Sequence, residues 1–197
     1  MAPVATGLLD DPVLLEVIGT EAGGLALLPE PRQALVRQAA LVAGPRRLLA
    51  DLAPWWAAQQ QQGLIPAGSQ PPATLTTDQP DQTWPPLHDA LAQGTKTVLL
   101  ASGDPLWFGI GRLLLQRFSR HQLRFHPAPS SLQLAFARLG RPWQDASWIS
   151  LHGRDPEALA ARLQQRPSAL AVLTDPGRGG AGAVRQVLRA SGLEAAY

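Results

Sequence analysis

The feature that most constrains the fold is the regular alternation of short apolar segments with segments of helical periodicity. Thr97–Ala101 is an apolar run of strand length, Leu123–Phe125 is a further short strand, and a helical segment follows each of them. The same order returns with Trp148–Leu151 and Ala169–Leu173. Strands that alternate with helices pair in parallel through crossover connections, so this order predicts an α/β fold with mostly parallel sheets.

The first half of the chain carries the same kinds of element with looser boundaries. Val13–Ile18 and Leu41–Ala43 are short apolar strands, and Thr74–Thr77 is a further candidate strand. That last strand lies within Gln59–Pro86, a segment rich in Gln, Pro and Thr, which we expect to be a long surface excursion. The segments that predict helices are Pro29–Ala40, Arg46–Leu52, Leu87–Gln93, Phe108–Phe118, Leu132–Leu139, Pro156–Gln165 and Val184–Ala190.

Composition excludes several classes of function. The chain contains no cysteine, which rules out disulfide scaffolds, thiolate metal sites and cysteine nucleophiles, and which suits a reducing cytoplasm. The net charge is only +2 and Lys96 is the single lysine, so we expect no nucleic-acid partner. Arginine carries the remaining positive charge, and its planar guanidinium pairs bidentately with carboxylates. An acidic small molecule is therefore a suitable partner.

No segment predicts an export signal or a membrane span. The N-terminus has no basic region ahead of its apolar residues. Leu52–Thr77 carries no charged residue, but glutamines, glycines and prolines interrupt it repeatedly. We therefore expect no membrane partner and a cytoplasmic location.

Other motifs give weaker signals. Gly177–Gly182 matches the letters of the dinucleotide-binding pattern G-x-G-x-x-G. Asp175 and Pro176 separate it from the preceding strand, and the chain leaves no room for the ribose-binding acid about 20 residues further on. We interpret it as a flexible glycine turn. The four histidines lack metal-ligand spacing and no G-x-S-x-G motif is present, so we predict neither a metal site nor a serine hydrolase.

Two loops are the best candidates for a binding site. Residues 102–105 read S-G-D-P and residues 127–131 read P-A-P-S-S, and each loop joins an apolar strand to a helix. Turns of this kind expose backbone N–H and hydroxyl groups, which suit the carboxylate, amine and ribose of a cofactor. Each loop taken alone also fits an ordinary tight turn.

The residues around these loops carry a more specific signal. Residues 98–112 read V-L-L-A-S-G-D-P-L-W-F-G-I-G-R, residues 127–146 read P-A-P-S-S-L-Q-L-A-F-A-R-L-G-R-P-W-Q-D-A, and residues 150–154 read S-L-H-G-R. With these strings the chain resembles, from about Leu15 to Ala190, the CbiE family. Its members are the precorrin-6Y or cobalt-precorrin-7 C5-methyltransferases of cobalamin biosynthesis, also found as the N-terminal half of CobL.

The resemblance implies a two-domain tetrapyrrole methylase fold with S-adenosylmethionine in the cleft between the domains, and a homodimer. The cofactor-binding residues that it implies are Gly103, Asp104, Ser130, Ser131, Leu173 and Thr174. The first four would hold the methionine and ribose parts, and the last two would lie near the adenine. The family's first loop commonly reads G-x-G-P-G-G, whereas Glu21 and Ala22 occupy the third and fourth positions here.

The resemblance also suggests where the domains divide. We predict an N-terminal α/β domain over residues 1–143 and the start of a C-terminal α/β domain over residues 144–197. Family members continue for tens of residues beyond the strand that would begin near Tyr197, so we expect the second domain to be incomplete. We expect Trp148–Leu151 and Ala169–Leu173 to be adjacent strands whose sheet is completed by the other domain or by a partner chain.

The implied reaction is S-adenosylmethionine-dependent C-methylation of a precorrin, at C5 and possibly also at C15. A sulfonium methyl group is intrinsically electrophilic, so we expect alignment of the reactants to dominate catalysis and assign no catalytic residue. Arg46, Arg112 and Arg154 each follow a loop at the predicted site, which makes them candidates to bind the carboxylates of the macrocycle.

Two alternative functions stay open on the sequence. The first is a non-catalytic module that binds a corrinoid or S-adenosylmethionine and partners a C15-methylating decarboxylase. The second is a methylase of the same fold that acts on another ring carbon or on ribosomal RNA. RNA recognition would call for a basic stripe with aromatic stacking residues, which the single lysine and the net charge of +2 do not favour.

Overall fold

The computed structural model describes residues 15–152 and 157–196. Its strands are β1 (Leu15–Thr20), β2 (Leu41–Gly44), β3 (Ala73–Thr76), β4 (Thr97–Ser102), β5 (Leu123–His126), β6 (Ser147–Ser150) and β7 (Leu170–Leu173). Its α-helices are α1 (Glu30–Gln38), α2 (Arg46–Leu49), α3 (Leu52–Gln61), α4 (Pro80–Ala92), α5 (Gly111–Leu115), α6 (Ser131–Arg138), α7 (Glu157–Gln164) and α8 (Gly180–Ala190).

The chain divides by its internal contacts into two compact units, Met1–Ser130 and Ser131–Tyr197. This division falls between β5 and α6, before the last residue of the second candidate loop. The domain boundary after residue 143 stays a prediction.

The first unit is built on a five-stranded sheet in the order β3-β2-β4-β1-β5. Every pair of neighbouring strands in it is parallel. The prediction of an α/β fold with a parallel sheet is therefore confirmed.

Both faces of this sheet are covered by helices, because successive residues of its strands point to opposite sides. Ile18 and Leu100 belong to one buried cluster, which includes residues of α1, α2 and α3. Their chain neighbours Val17 and Leu99 belong to a second cluster, which includes residues of α4 and α5. The unit is thus a doubly wound sheet, with the helices that follow β1 and β2 on one face and those that follow β3 and β4 on the other.

The strand order contains one reversal that matters for function. The chain leaves β1 toward β2 on one side of the sheet, and it leaves β4 toward β5 on the other side, although β1 and β4 are neighbours. Their carboxyl ends therefore open a crevice between connections that run in opposite directions. Open α/β sheets bind ligands at such a switch point.

The second unit contains a parallel pair of strands, β6 and β7, with Ser147 opposite Leu170 and Ser150 opposite Leu173. The prediction that these two strands are adjacent is confirmed. A small core of buried leucines packs with half-buried residues of the strands and of α8. These leucines are Leu151, Leu159, Leu163 and Leu193. All four residues of β7 remain half-buried.

The segment Gln59–Pro86 is only in part the surface excursion that its composition predicts, because most of residues 61–71 are exposed but the flanking residues belong to helices and to β3. Helix α3 runs on to Gln61, and α4 already begins at Pro80 and contains Pro85 and Pro86. Between these helices Ile65 is buried, and the Trp56 indole donates a hydrogen bond to the Ser69 carbonyl at 3.1 Å. Prolines usually break helices, which hid the first half of α4 from a local interpretation of the sequence, whereas its second half agrees with the helix predicted over Leu87–Gln93.

Two helix boundaries also differ from expectation. Helix α5 covers only Gly111–Leu115, because the preceding segment folds back so that the Gly111 N–H donates to the Pro105 carbonyl at 2.8 Å. Helix α8 begins at Gly180 rather than at Val184, after Gly179 adopts a φ of 90°. Half of the glycine-rich motif is therefore helical rather than a flexible turn.

Candidate functional site at the carboxyl edge of the first sheet

The candidate site lies where β1, β4 and β5 end, an edge we call the carboxyl edge. Because the three strands are neighbours and parallel, the loops that follow them meet there. The Gly103 N–H donates to the Thr20 carbonyl at 2.8 Å, and the Ala128 N–H donates to the Gly103 carbonyl at 3.2 Å. The loop at residues 102–105 is thus hydrogen-bonded to the chain on both sides, and the two loops predicted from the sequence are brought together.

Two glycines make this close approach sterically feasible. A Cβ atom on Gly19 would lie 2.0 Å from the Gly103 carbonyl oxygen and 2.7 Å from the Ala128 nitrogen, distances that no side chain tolerates. Gly103 has a φ of +61°, where glycine is favoured, and a Cβ atom on it would lie 3.1 Å from the Ser130 Cα. Backbone contacts of this kind define the floor of the site.

The turn after β4 uses most of its own backbone donors. The Asp104 carboxylate accepts the Leu106 N–H at 2.9 Å, and the Asp104 carbonyl accepts the Trp107 N–H at 3.1 Å. The Gly103 N–H is already bonded to Thr20. This turn therefore presents the half-buried Asp104 carboxylate, a hydrogen-bond acceptor, rather than the unpaired N–H groups that the sequence led us to expect.

The two candidate serines differ in exposure. Ser130 is the last residue of the first unit, is buried and has an interaction partner within the protein. Ser131 is exposed and begins α6 in the second unit. In the second unit, Leu173 is the last residue of β7, and Thr174 follows it directly. Both of these residues are half-buried.

The three arginines predicted to bind the substrate differ in their surroundings. The Arg46 guanidinium lies 3.7 Å from the Asp78 carboxylate, and its side chain is 74% exposed. Arg112 is an exposed residue of α5 and directly follows Gly111, the first residue of that helix. Arg154 lies outside the described residues. The assignment of these arginines to the substrate stays a prediction.

Comparison with known proteins identifies the family. Residues 15–197 match the family described as Tetrapyrrole (Corrin/Porphyrin) Methylases. The chain belongs to this family. The match confirms the family predicted from the strings around residues 98–154.

Two relatives of this methylase-family chain are named as precorrin methyltransferases. A Sinorhizobium sp. protein named Precorrin-6Y C(5,15)-methyltransferase [decarboxylating] is 32% identical over 166 residues, which cover 82% of this chain and 35% of that protein. A Salmonella typhimurium protein named Cobalt-precorrin-7 C(5)-methyltransferase is 44% identical over 57 residues, which cover 29% of this chain and 28% of that protein. The chain thus spans about a third of the length of the first relative.

A solved structure shows that the fold is shared as well. The crystal structure of the methyltransferase CobJ superposes with a TM-score of 0.64, at 22% sequence identity, and covers 90% of this chain and 75% of that one. At this identity the comparison concerns the fold alone. It agrees with the α/β architecture predicted for a tetrapyrrole methylase.

Two functional candidates in this methylase-family chain escaped the sequence analysis. Arg47, next to the candidate Arg46, donates a hydrogen bond to the Ser102 hydroxyl at the end of β4. His152 follows β6, and its Nδ1 lies 3.9 Å from a carboxylate oxygen of Asp175, which follows β7. The predicted pairing of β6 with β7 could have indicated that His152 and Asp175 lie near each other, because paired parallel strands bring the residues that follow them together.

The described residues form neither a cluster of metal ligands nor a helix that could span a membrane. No group of three or more His, Asp or Glu side chains within residues 15–152 and 157–196 is arranged to hold a metal ion. Of the helices formed by these residues, none combines the length and the apolar character that crossing a bilayer requires.

Proposed function

We propose that this chain catalyses S-adenosylmethionine-dependent C-methylation of a precorrin, at C5, in cobalamin biosynthesis. The observation that carries the proposal is the convergence of the loops after β1, β4 and β5 at the switch point of a doubly wound sheet. Membership of the tetrapyrrole methylase family and the names of the relatives supply the reaction class and the substrate class.

The residues of the carboxyl edge fit S-adenosylmethionine. Asp104 offers a carboxylate, fixed at one oxygen by the Leu106 N–H, to the amino group or the ribose hydroxyls of the cofactor. Gly19 and Gly103 keep the floor of the site free of side chains, which permits a close approach to the backbone. When bound, the cofactor supplies an electrophilic methyl group on a sulfonium centre.

The remaining candidate residues are proposed to bind other parts of the cofactor and the macrocycle. Ser130 and Ser131 border the methionine and ribose parts, and Leu173 and Thr174 border the adenine. Arg46 and Arg112 bind carboxylates of the macrocycle, and Arg154 is proposed from its sequence position alone.

Alignment, rather than a strong base, is the main contribution we assign to the protein. Holding the nucleophilic ring carbon about 3 to 3.5 Å from the methyl group supplies about 7–11 kcal/mol of the barrier. A rigid floor serves this purpose, and the hydrogen bonds from Gly103 to Thr20 and from Ala128 to Gly103 provide one.

The decisive experiment is turnover under anaerobic conditions. The protein is incubated separately with precorrin-6B and with precorrin-7, each together with S-adenosylmethionine carrying a ¹³C-labelled methyl group, and the products are analysed by mass spectrometry and NMR. We expect one labelled methyl group on C5. Tight binding of both ligands without turnover would contradict the proposal and favour the non-catalytic module. A label on another ring carbon would contradict the assignment to C5.

We further propose a homodimer and a C15-methylating decarboxylase partner. Support for the partner comes from the Sinorhizobium relative, which is named as decarboxylating and of which this chain matches 35%. The same mass spectrum tests this point. A product that has gained one methyl group and kept all its carboxyl groups fits a separate decarboxylase, whereas loss of carbon dioxide in the absence of any partner would contradict it.

A further inference from the structure

Two adjacent arginines follow β2 and meet different partners. Arg46 donates its backbone N–H to Asp78 at 3.2 Å, and its guanidinium lies 3.7 Å from the same carboxylate. The Arg47 guanidinium instead donates to the hydroxyl of Ser102. The charge of Arg46 is therefore offset by an acidic side chain, while the partner of Arg47 is neutral. Among the described residues, the ion pairs do not include Arg47.

The strand order places Arg47 beside the proposed cofactor loop. Strand β2 pairs with β4, and a Cβ atom on Gly44 would lie only 3.2 Å from the Leu100 Cβ, so the ends of the two strands are closely packed. Ser102 is the last residue of β4 and directly precedes Gly103. The exposed Arg47 side chain thus reaches the carboxyl edge next to the turn that carries Asp104.

An anionic ligand at this edge gains from a donor beyond those of the turn, most of which are already in use. The N–H groups of Gly103, Leu106 and Trp107 are all engaged within the protein. Arginine has five N–H donors in a planar fork, of which the Ser102 hydroxyl uses one. The rest of the fork can grip a carboxylate with charge-assisted hydrogen bonds.

We infer that Arg47 is the carboxylate-binding residue of the carboxyl edge. The inference rests on the proposed function, in which two carboxylates arrive at this edge. One belongs to the methionine part of the cofactor, and the other is a carboxylate side chain of the macrocycle. Both present the same chemistry to the guanidinium, and Ser102 holds the guanidinium in place for it.

The test measures binding by calorimetry with two probes, S-adenosylhomocysteine and precorrin-6B, the latter under nitrogen. Arg47→Gln removes the charge and keeps much of the side chain, and Arg47→Lys keeps the charge but not the fork. Arg120→Gln is the matched control. Arg120 is also exposed, but it begins the short 3₁₀ helix Arg120–Gln122 that leads into β5, and so it lies at the opposite edge of the sheet. Thermal unfolding checks that each variant is folded.

We expect Arg47→Gln to weaken one of the two ligands about 10- to 100-fold, Arg47→Lys to recover part of the loss, and Arg120→Gln to leave both affinities unchanged. A loss confined to S-adenosylhomocysteine assigns Arg47 to the cofactor, and a loss confined to precorrin-6B assigns it to the macrocycle. Wild-type affinity for both ligands in folded Arg47→Gln would overturn the inference.

Methyl transfer, assayed in parallel, separates this inference from the proposed function. If the wild-type protein binds both probes but transfers no methyl group, the proposed function fails while the loss of binding in Arg47→Gln still supports the inference. If the wild-type protein is active and Arg47→Gln binds both probes normally, only the inference fails. A wild-type protein that binds neither probe contradicts both.

Discussion

Gly19 and Gly103 approach so closely that a Cβ atom on Gly19 would lie 2.0 Å from the Gly103 carbonyl oxygen. The Gly103 carbonyl oxygen belongs to the backbone and the position of a Cβ atom is fixed by its own backbone, so no rotation of a side chain can relieve the clash. The turn after β4 is thereby tied to the neighbouring strand β1, and the Gly103 to Thr20 hydrogen bond reinforces the connection. The floor of the proposed site depends on this contact between two glycines as well as on the hydrogen bonds donated by the Gly103 and Ala128 N–H groups.

Replacement of Gly19 by alanine tests that dependence. We expect Gly19→Ala to lower the free energy of unfolding by about 1–3 kcal/mol, because the added methyl group forces the backbone apart. Affinity for S-adenosylhomocysteine should fall as well. Chemical denaturation and calorimetry measure the two effects. Gly182→Ala is the control, since a Cβ atom there meets nothing within 4 Å and α8 should gain stability slightly. Equal stability of the two variants would contradict the prediction.

Asp104 is expected to act through its charge. Asp104→Asn keeps an oxygen that can accept the Leu106 N–H, so the turn should remain intact. We expect about a tenfold or larger loss of affinity for S-adenosylmethionine, because hydrogen bonds to a charged group are worth about 1.5–3 kcal/mol. Asp104→Ala, which also loses the turn hydrogen bond, should bind at least as weakly.

Calorimetry on both Asp104 variants provides the measurement, with Asp89→Asn as the control. Asp89 is an exposed residue of α4, and its replacement removes the same charge. Unchanged affinity in folded Asp104→Ala would show that the cofactor site lies elsewhere.

The size of the side chain at Ser131 should matter more than its hydroxyl group. Ser131 is exposed at the first position of α6, so the fold should accept a leucine there. We expect Ser131→Leu to abolish methyl transfer by filling the space that the cofactor needs, while the circular dichroism spectrum stays native. Ser131→Ala should retain most of the activity. An active Ser131→Leu enzyme would place the cofactor away from this residue.

The strands of the second unit should be less protected from hydrogen exchange than β4. Five of the six residues of β4 are buried, whereas all four residues of β7 are half-buried and β7 pairs only with β6 among the described strands. Partly exposed strands open at a lower free energy cost. Amide exchange of a verified monomer, read at Ser147–Ser150 and Leu170–Leu173, provides the test. Protection equal to that of Thr97–Ala101 would show that the second unit is self-sufficient.

Local pattern predicted much of the fold. The strands predicted at Thr97–Ala101 and Leu123–Phe125 are present as β4 and β5, and the alternation of elements correctly indicated parallel sheets. Prediction from local pattern was wrong where prolines or glycines occur inside a helix. Pro85 and Pro86 concealed the first half of α4, and the glycines around Gly180 concealed the start of α8. In both places the surrounding structure tolerates residues that disfavour a helix.

The sequence by itself determined the class of fold, the two candidate loops and the family, because periodicity, turn residues and motifs are all local in the chain. Only the tertiary structure decided which residues those loops meet. The order β3-β2-β4-β1-β5 sets Gly19 against Gly103 and brings Arg47, rather than Arg46, to Ser102. Strand order follows from how the whole sheet buries its two faces, and no short segment encodes that arrangement.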